Sequence, residues 1–299
     1  MNIRLPLTTQ APAKINLTLA VLGRRADGYH LLESLVAFAG VGDSLSLTPA
    51  EAVSLSMSGP YALSLCAPSL DSSGLGLTED NLVLRAARHV LALKPALRAG
   101  HFHLVKRLPV ASGIGGGSAD AAAALRLIGR LNGLAAEHSV LREAAQLTGS
   151  DVPVCLESSA RIMSGAGEIL GPKLFLPKLC AVLVNPGVPV ATADVFAYLD
   201  MAKGSENARQ DLSGSHFLPP NMDDASLLTR WLSTQANHLE APAMVCAPLI
   251  GTALNALRNN PACRLARMSG SGATCFGIFD DCKAAANAAK SIKDRKSVV

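Results

Sequence analysis

Four glycines stand within five positions of one another, Gly113, Gly115, Gly116 and Gly117, and Ser118 follows them. Without Cβ atoms such residues take positive φ and let their backbone N–H groups approach an anion closely. The flanking residues show what the glycines join. His101 to Val105 alternate polar His101 and His103 with apolar Phe102 and Leu104, as a half-buried strand does, whereas Ala119 to Leu131 carries apolar residues at helical spacing. A strand leading through glycines into a helix brings unpaired amides and the positive end of the helix dipole together, which suits a polyphosphate. Two familiar phosphate fingerprints are absent. A Walker A loop needs Lys-Ser/Thr after its last glycine, where this chain has Ser118-Ala119, and a dinucleotide fingerprint needs a glycine where Ser118 stands.

The rest of the chain supplies elements that can hold such a loop. Residues 11 to 22 read as one strand with a polar face of Lys14, Asn16 and Thr18, turned back at Gly23 to Gly28 into a hairpin. Leu45 to Leu47 and Val53 to Met57 alternate as a second strand pair, and Asp80-Asn81 caps a helix with Leu82, Ala86, Val90 and Leu93 on one face. Between them Ala67 to Thr78 is a Ser/Gly-rich loop. Ser139 to Thr148 forms a short helix stopped by Gly149, and Asp151, just before Val152-Pro153, is expected at an extended junction. Past a composition shift near residue 162 come a strand over Leu179 to Val184 and a mobile polar loop over Lys203 to Ser226. Helices follow over Ser226 to Trp231 and Pro248 to Arg258, then a strand over Cys275 to Phe279 and a last helix capped by Asp281.

Composition narrows the function classes. With 299 residues, 49% of them apolar, the chain has room for one large or two ordinary domains. A net charge of +4, basic residues scattered except at Lys290 to Lys296, and 4% aromatics argue against a nucleic-acid partner. The seven cysteines are odd in number, widely spaced and without zinc spacing, and read as reduced core residues. No basic segment followed by an apolar run opens the chain and no apolar run is long enough to span a bilayer, so a cytoplasmic location is expected.

Pro12-Ala-Lys-Ile-Asn16, the glycine loop with Pro109 ahead of it, and Gly270-Ser-Gly-Ala-Thr274 together resemble the galactokinase, homoserine kinase, mevalonate kinase and phosphomevalonate kinase superfamily. Arg24-Arg-Ala-Asp-Gly-Tyr-His30, Lys106-Arg-Leu-Pro109 and Gly149-Ser-Asp-Val-Pro153 are most similar to its branch acting on a cytidine diphosphate-linked methylerythritol. The resemblance covers nearly the whole chain. It implies an α+β fold of two domains: an ATP-binding domain over residues 1–162, like the second domain of ribosomal protein S5, and a ferredoxin-like domain over 163–299.

By the same resemblance the chain is a kinase using ATP and Mg²⁺ to phosphorylate the acceptor's 2-hydroxyl, in the non-mevalonate route to isoprenoid precursors. Asp151 would take the acceptor's proton, and Lys14 would orient it and counter the charge on the transferring phosphoryl group. ATP would lie along Pro109, Val110, Ala111, Ser112, Gly113, Ile114, Gly115, Gly116, Gly117, Ser118 and Ala119, with the Ser118 hydroxyl near phosphate or Mg²⁺. Tyr29 and Phe196 would cover the two faces of the cytosine, His30 would bond its edge, Asn16 would hold the diphosphate or erythritol, and Gly270, Ser271 and Gly272 would face the acceptor. No metal ligand is assigned, since Glu143 and Glu168 have no spacing that recommends either. The basic end, Lys290 to Val299, lacks the aromatic finish of many relatives and is expected to be atypical. A kinase of this fold acting on homoserine or a mevalonate derivative, and an inactive nucleotide sensor, remain as alternatives; oligomeric state, monomer or dimer, is open.

Overall fold

A computed structural model describes residues 6–65, 81–206 and 223–294. The chain opens with β1 (Leu7–Asn16), β2 (Ala20–Arg24) and the long β3 (His30–Pro49). The run over residues 11 to 22 is therefore two strands rather than one. At the break, the N–H groups of Leu17 and Thr18 both reach Leu35 O, at 2.8 and 3.4 Å, and Thr18 Oγ1 accepts from Leu35 N at 2.9 Å. A side-chain hydroxyl has taken the place of a ladder partner, which alternation of polar and apolar residues does not reveal. The hairpin itself forms as expected, with Arg24 opposite His30 and Gly28 at φ +96°.

Next come β4 (Ser54–Ser58), α1 (Leu82–Leu93), β5 (Gly100–Val105), α2 (Gly116–Leu131), α3 (Ser139–Thr148) and α4 (Val152–Glu157). β6 (Arg161–Gly165), β7 (Ile169–Leu170), β8 (Cys180–Val184), α5 (Thr192–Ala197) and β9 (Ser205–Glu206) follow. The described chain ends with α6 (Ala225–Ser233), α7 (Glu240–Cys246), α8 (Leu249–Arg258), β10 (Cys263–Met268), β11 (Cys275–Phe279) and α9 (Cys282–Asp294). The Ala67 to Thr78 loop, most of the Lys203 to Ser226 loop and the chain past Asp294 lie outside the described residues; the start of the second loop forms β9, paired with β2. Asp151 does not begin an extended stretch. It precedes α4, whose first turn contains Pro153, because proline's missing N–H costs nothing where a helix has no partner for it.

The chain divides into two compact units that alternate along it. One unit is drawn from Met1–Lys14, Phe38–Val110 and Gly115–Ser159. In it β5 lies between β3 and β4, antiparallel to the first and parallel to the second, so the two strands expected to pair with each other both pair with β5 instead. Side chains explain the arrangement: Ser54, Ser56 and Ser58 on β4 bond both ring nitrogens of His101 and of His103 on β5, at 2.8 to 2.9 Å. Helices α1, α3 and α4 pack on α2. Along α2, Ala119, Ala121, Ala122, Ala123, Ala124, Leu125, Leu127 and Ile128 are at most 1% exposed, so most of the helix surface is covered and the helix is central to its unit.

The other unit comprises Ile15–Ala37, Ala111–Ile114 and Ala160–Val299. Its antiparallel sheet runs β10-β11-β8, with α8 and α9 packed on it around Val182, Val184, Ile250, Leu254, Leu257 and Ile292. The first part of β3 pairs there with β2 and β6. Two cysteines correct the sequence reading: Cys180 at the start of β8 and Cys282 at the start of α9 are joined as a disulfide, their Cα atoms 5.0 Å apart. Their separation by 102 residues hides the pairing from any reading of local spacing. Cys155 and Cys275 are free and buried, Cys246 and Cys263 free and half-buried, and Cys66 lies outside the described residues. Among the described residues no helix is long and apolar enough to cross a membrane.

Candidate active site

Lys14 lies near the end of β1 between Ala13 and Ile15, both buried, and its side chain is only 5% exposed. Its Nζ is 2.7 Å from Asp151 Oδ1, and Asp151 is 37% exposed. Gly149 ends α3 and α4 starts at Val152, so a three-residue junction sets the position of Asp151. A buried ammonium thus meets a carboxylate open to solvent, which is the polarity that holding and accepting a proton from a ligand requires.

The glycine loop passes from one unit to the other between Ile114 and Gly115, and Pro109 and Val110 precede it. Gly115 is the N-cap of α2 at φ +62°, and no side chain caps the helix. The amides of the first turn are left for an acceptor other than a cap, and Gly116, Gly117 and Ser118 supply them. A Cβ on Gly115 would lie 3.2 Å from Lys14 Cβ, and one on Gly116 would lie 3.2 Å from Lys106 Nζ. Two lysines thus pack against the loop. Ala119 is buried, and its N–H returns to Gly115 O at 2.8 Å.

Lys106 was legible only as part of a resemblance, and its environment is new. Its ammonium is 2% exposed and bonds Asp43 Oδ2 at 2.6 Å and Asp120 Oδ2 at 2.7 Å. Burial opposes its charge, but Asp120 and Asp43 outweigh that and raise its pKa. One ammonium shared by two carboxylates leaves the second carboxylate short of compensation. Burial, reinforced by the Asp43 charge, accordingly pushes Asp120 up to about 7.

In the second unit, Ser112 O accepts from Thr274 N at 3.0 Å and Gly113 O from Ser269 Oγ at 3.1 Å. Gly113 has φ +72°, and a Cβ there would fall 2.5 Å from the carbonyl oxygens of both Gly272 and Ser269. The second glycine turn closes on itself through Ser269 N to Thr274 O and Gly272 N to Ser269 O, while Asn237 Nδ2 donates to Met268 O and Gly270 O at 2.8 Å. The Ser271 hydroxyl lies 2.8 Å from that of Thr192. Ser269, fully buried, also accepts from Asn16 N at 3.0 Å, so it ties the first strand, the glycine loop and the second turn together. Nothing local in the sequence singles it out, since its partners are 253 and 156 residues away.

Asn16 donates from Nδ2 to Ser34 Oγ at 2.7 Å, and Ser34 donates on to Thr18 O. His30 stacks on Phe196, ring centroids 4.5 Å apart and planes 22° from parallel. Burial, and then the Arg24 cation, lower the His30 pKa, so the ring is neutral at pH 7. Tyr29, next to it, is 65% exposed. The structure brings Phe196 to His30, then, and leaves the Tyr29 side chain exposed. Of the two glutamates considered for a metal, Glu168 is engaged by Ala166 N and Arg25, and Glu143 is exposed. Among the described residues no cluster of three or more His, Cys, Asp or Glu could hold a metal ion.

Comparison with known proteins places this geometry. The family described as GHMP kinases N terminal domain matches residues 81–159, and GHMP kinases C terminal matches 222–297. A protein of Methylobacterium radiotolerans is 56% identical over 96% of this chain and 94% of its own length, and one of Xanthobacter autotrophicus is 50% identical over 96% and 94%. The chain belongs to the GHMP kinase family. Both relatives bear the name 4-diphosphocytidyl-2-C-methyl-D-erythritol kinase. A crystal structure of 4-(cytidine 5'-diphospho)-2C-methyl-D-erythritol kinase superposes on this GHMP kinase with TM-score 0.68 at 29% identity, covering 96% of each chain. A homoserine kinase from Cytophaga hutchinsonii, 18% identical, shares the fold with TM-score 0.63 over 100% of this chain and 94% of its own. The α+β architecture and the small-molecule kinase class follow, and with that class the use of ATP.

Proposed function

We propose that this kinase transfers the γ-phosphoryl group of ATP to the 2-hydroxyl of 4-diphosphocytidyl-2-C-methyl-D-erythritol, in the methylerythritol phosphate route to isoprenoid precursors. The observation that carries the chemistry is the 2.7 Å contact of buried Lys14 with solvent-open Asp151, in the same unit as the uncapped start of α2. The choice of acceptor rests on the relatives' name at 56% identity over 96% of the chain.

In this reading Asp151 accepts the proton of the attacking hydroxyl as the new O–P bond forms, the bond from the γ-phosphorus to the β–γ bridging oxygen breaks, and ADP leaves. Lys14 holds Asp151 in place and offers its charge to the phosphoryl oxygens. Ser112, Gly113 and the amides of Gly115 to Ala119 hold the phosphates, with Pro109, Val110, Ala111 and Ile114 shaping the approach. The glycine positions fit that task, because Cβ atoms at Gly113, Gly115 and Gly116 would all meet neighbours within 3.2 Å. Mg²⁺ usually keeps several waters and binds substrate phosphates, so it needs few protein ligands and would neutralise phosphate charge when bound. Ser118, in the first turn of α2, would offer its hydroxyl to phosphate or to Mg²⁺.

On the acceptor, Tyr29 stacks on the cytosine, neutral His30 bonds its polar edge, and Phe196 backs the pocket. Asn16 and the turn Gly270, Ser271 and Gly272 take the diphosphate and erythritol. The domain boundary is placed near residue 162, within the stretch between the two family matches, which end at 159 and start at 222. This enzyme would work in the cytoplasm on small molecules, without nucleic acid.

ATP consumption measured with the cytidyl alcohol, homoserine and mevalonate in parallel tests the proposal. Turnover only with the cytidyl alcohol is the expected result; turnover with another alcohol, or none with any, rejects it.

A further inference from the structure

Lys106, Asp43 and Asp120 form a buried ionic triad that the chemistry above does not use. Asp43 is fully buried, and its Oδ1 accepts from Arg107 N and, at 2.8 Å, from Leu108 N, so it clamps the chain just where β5 gives way to the glycine loop. Asp120 sits in the second turn of α2, on the far side of the same loop. Lys106 joins the two, with Nζ at 2.6 Å from Asp43 and 2.7 Å from Asp120, and it rests against Gly116, the first residue of the helix. The triad therefore ties the entry of the loop to its exit.

Such a cluster is a poor source of stability. Desolvating three charges is expensive, and apolar side chains of similar volume in such places are often neutral or stabilising. Asp120 makes the case sharper, because its Oδ1 is buried without a hydrogen-bond partner among the described residues, a cost that a leucine would not carry. What an ionic triad supplies and leucine does not is fixed direction: two short, charge-assisted bonds from one ammonium specify where the first turns of α2 stand relative to the end of β5.

We propose that Lys106, Asp43 and Asp120 are positioning residues for nucleotide binding, holding the amides of Gly116 and Gly117 in register with the phosphates of ATP. The inference rests on the reading of the glycine loop as the ATP site. The triad touches neither Lys14 nor Asp151 by any hydrogen bond among the described residues, so its loss should act on ATP affinity ahead of the chemical step.

The test is steady-state kinetics on Asp120→Ala, which cuts the tether to α2 and leaves Lys106 paired with Asp43. The expected result is a rise of roughly tenfold in KM for ATP, with kcat and the acceptor KM within about twofold of wild type. Asp120→Asn, which keeps an oxygen to accept from Lys106, should restore the ATP KM to within about threefold. An unchanged ATP KM in folded Asp120→Ala overturns the proposal, and so does a fall in kcat alone or a failure of Asp120→Asn to rescue. If Asp120→Ala does not fold, Lys106→Met/Asp120→Leu removes two charges together and should show the same ATP-selective defect. Failure of both to fold also counts against it, since the triad would then be a structural staple. Calorimetry of wild type with a non-hydrolysable ATP analogue separates the two readings. No binding there sinks the ATP site itself, whereas normal binding with an unaffected Asp120→Ala sinks only the triad.

Discussion

Replacing Asp151 by asparagine separates the proton-accepting role from the structural one. Lys14 is 95% buried by its side chain, and removing one member of a buried ion pair ordinarily costs about 3–5 kcal/mol because the other charge is stranded. Here the loss is smaller. Asp151 is 37% exposed, water reaches the junction, and an amide oxygen still stands within reach of Nζ, so we expect a stability loss of about 1–2 kcal/mol. The effect on turnover is larger, because an amide accepts no proton: general-base catalysis contributes about 10²–10⁴-fold, or roughly 2.7–5.4 kcal/mol of barrier. A coupled assay of ADP release at saturating substrates, beside calorimetry of ATP binding, reads the two apart. Asp151→Asn should bind ATP within about threefold of wild type and lose at least 10²-fold in kcat. A variant that folds, binds ATP and turns over within about threefold of wild type would refute the assignment of the base.

Other outcomes follow from the same geometry. His30→Ala should raise the acceptor KM by about tenfold and leave the ATP KM alone; equal KM values for the acceptor in both proteins would remove His30 from the cytosine pocket. Asp120 is a weaker acid folded, with a pKa of about 7, than unfolded, near 3.8. The folded state therefore binds more protons between these values, and its stabilising contribution, full below pH 3.8, is lost as pH rises to about 7. Urea titrations across that range should show wild type losing on the order of 2–4 kcal/mol relative to Asp120→Asn, and parallel curves would contradict the shift. Closing 102 residues into a covalent loop, the Cys180–Cys282 bond should contribute up to about 4–5 kcal/mol in the chain-entropy account. Thermal melts of oxidised protein with and without reductant test that, with thiol counting as the check; identical melts despite a gain of two thiols would count against it.

What was legible in the chain was what is encoded locally. The glycine loop announced itself because positive φ and the close approach of Lys14 and Lys106 demand residues without Cβ atoms. The α3 boundaries, the Asn81 cap and the Asp281 cap at the start of α9 were equally local: Asn81 Oδ1 accepts from Val83 N and Asp281 Oδ1 from Ala284 N. The pairing of β5 between β3 and β4 was not, since parallel partners leave no turn signature. The break after Asn16 hid behind unbroken alternation, and α4 behind a proline that suits a first turn as well as an extended run. Ser269 and the Lys106 triad were out of reach for another reason. A buried serine or aspartate shows its role only through partners brought to it by the fold, and Asp43 lies 63 residues from the lysine it holds. Lys14 and Asp151 were reached through family resemblance, because the contact that joins them links distant parts of the sequence.

The glycines at 115 and 116 are also seats: the stem of Lys14 lies 3.2 Å from where a side chain on the first would begin, and the ammonium of Lys106 3.2 Å from the second. Under the proposed function two different demands bear on the same two positions, one from the phosphates of ATP and one from the two lysine side chains. A transplanted copy of this loop would carry only half of its specification, and a recipient scaffold would have to import both lysines, and the acids that neutralise them, before the graft could hold its shape.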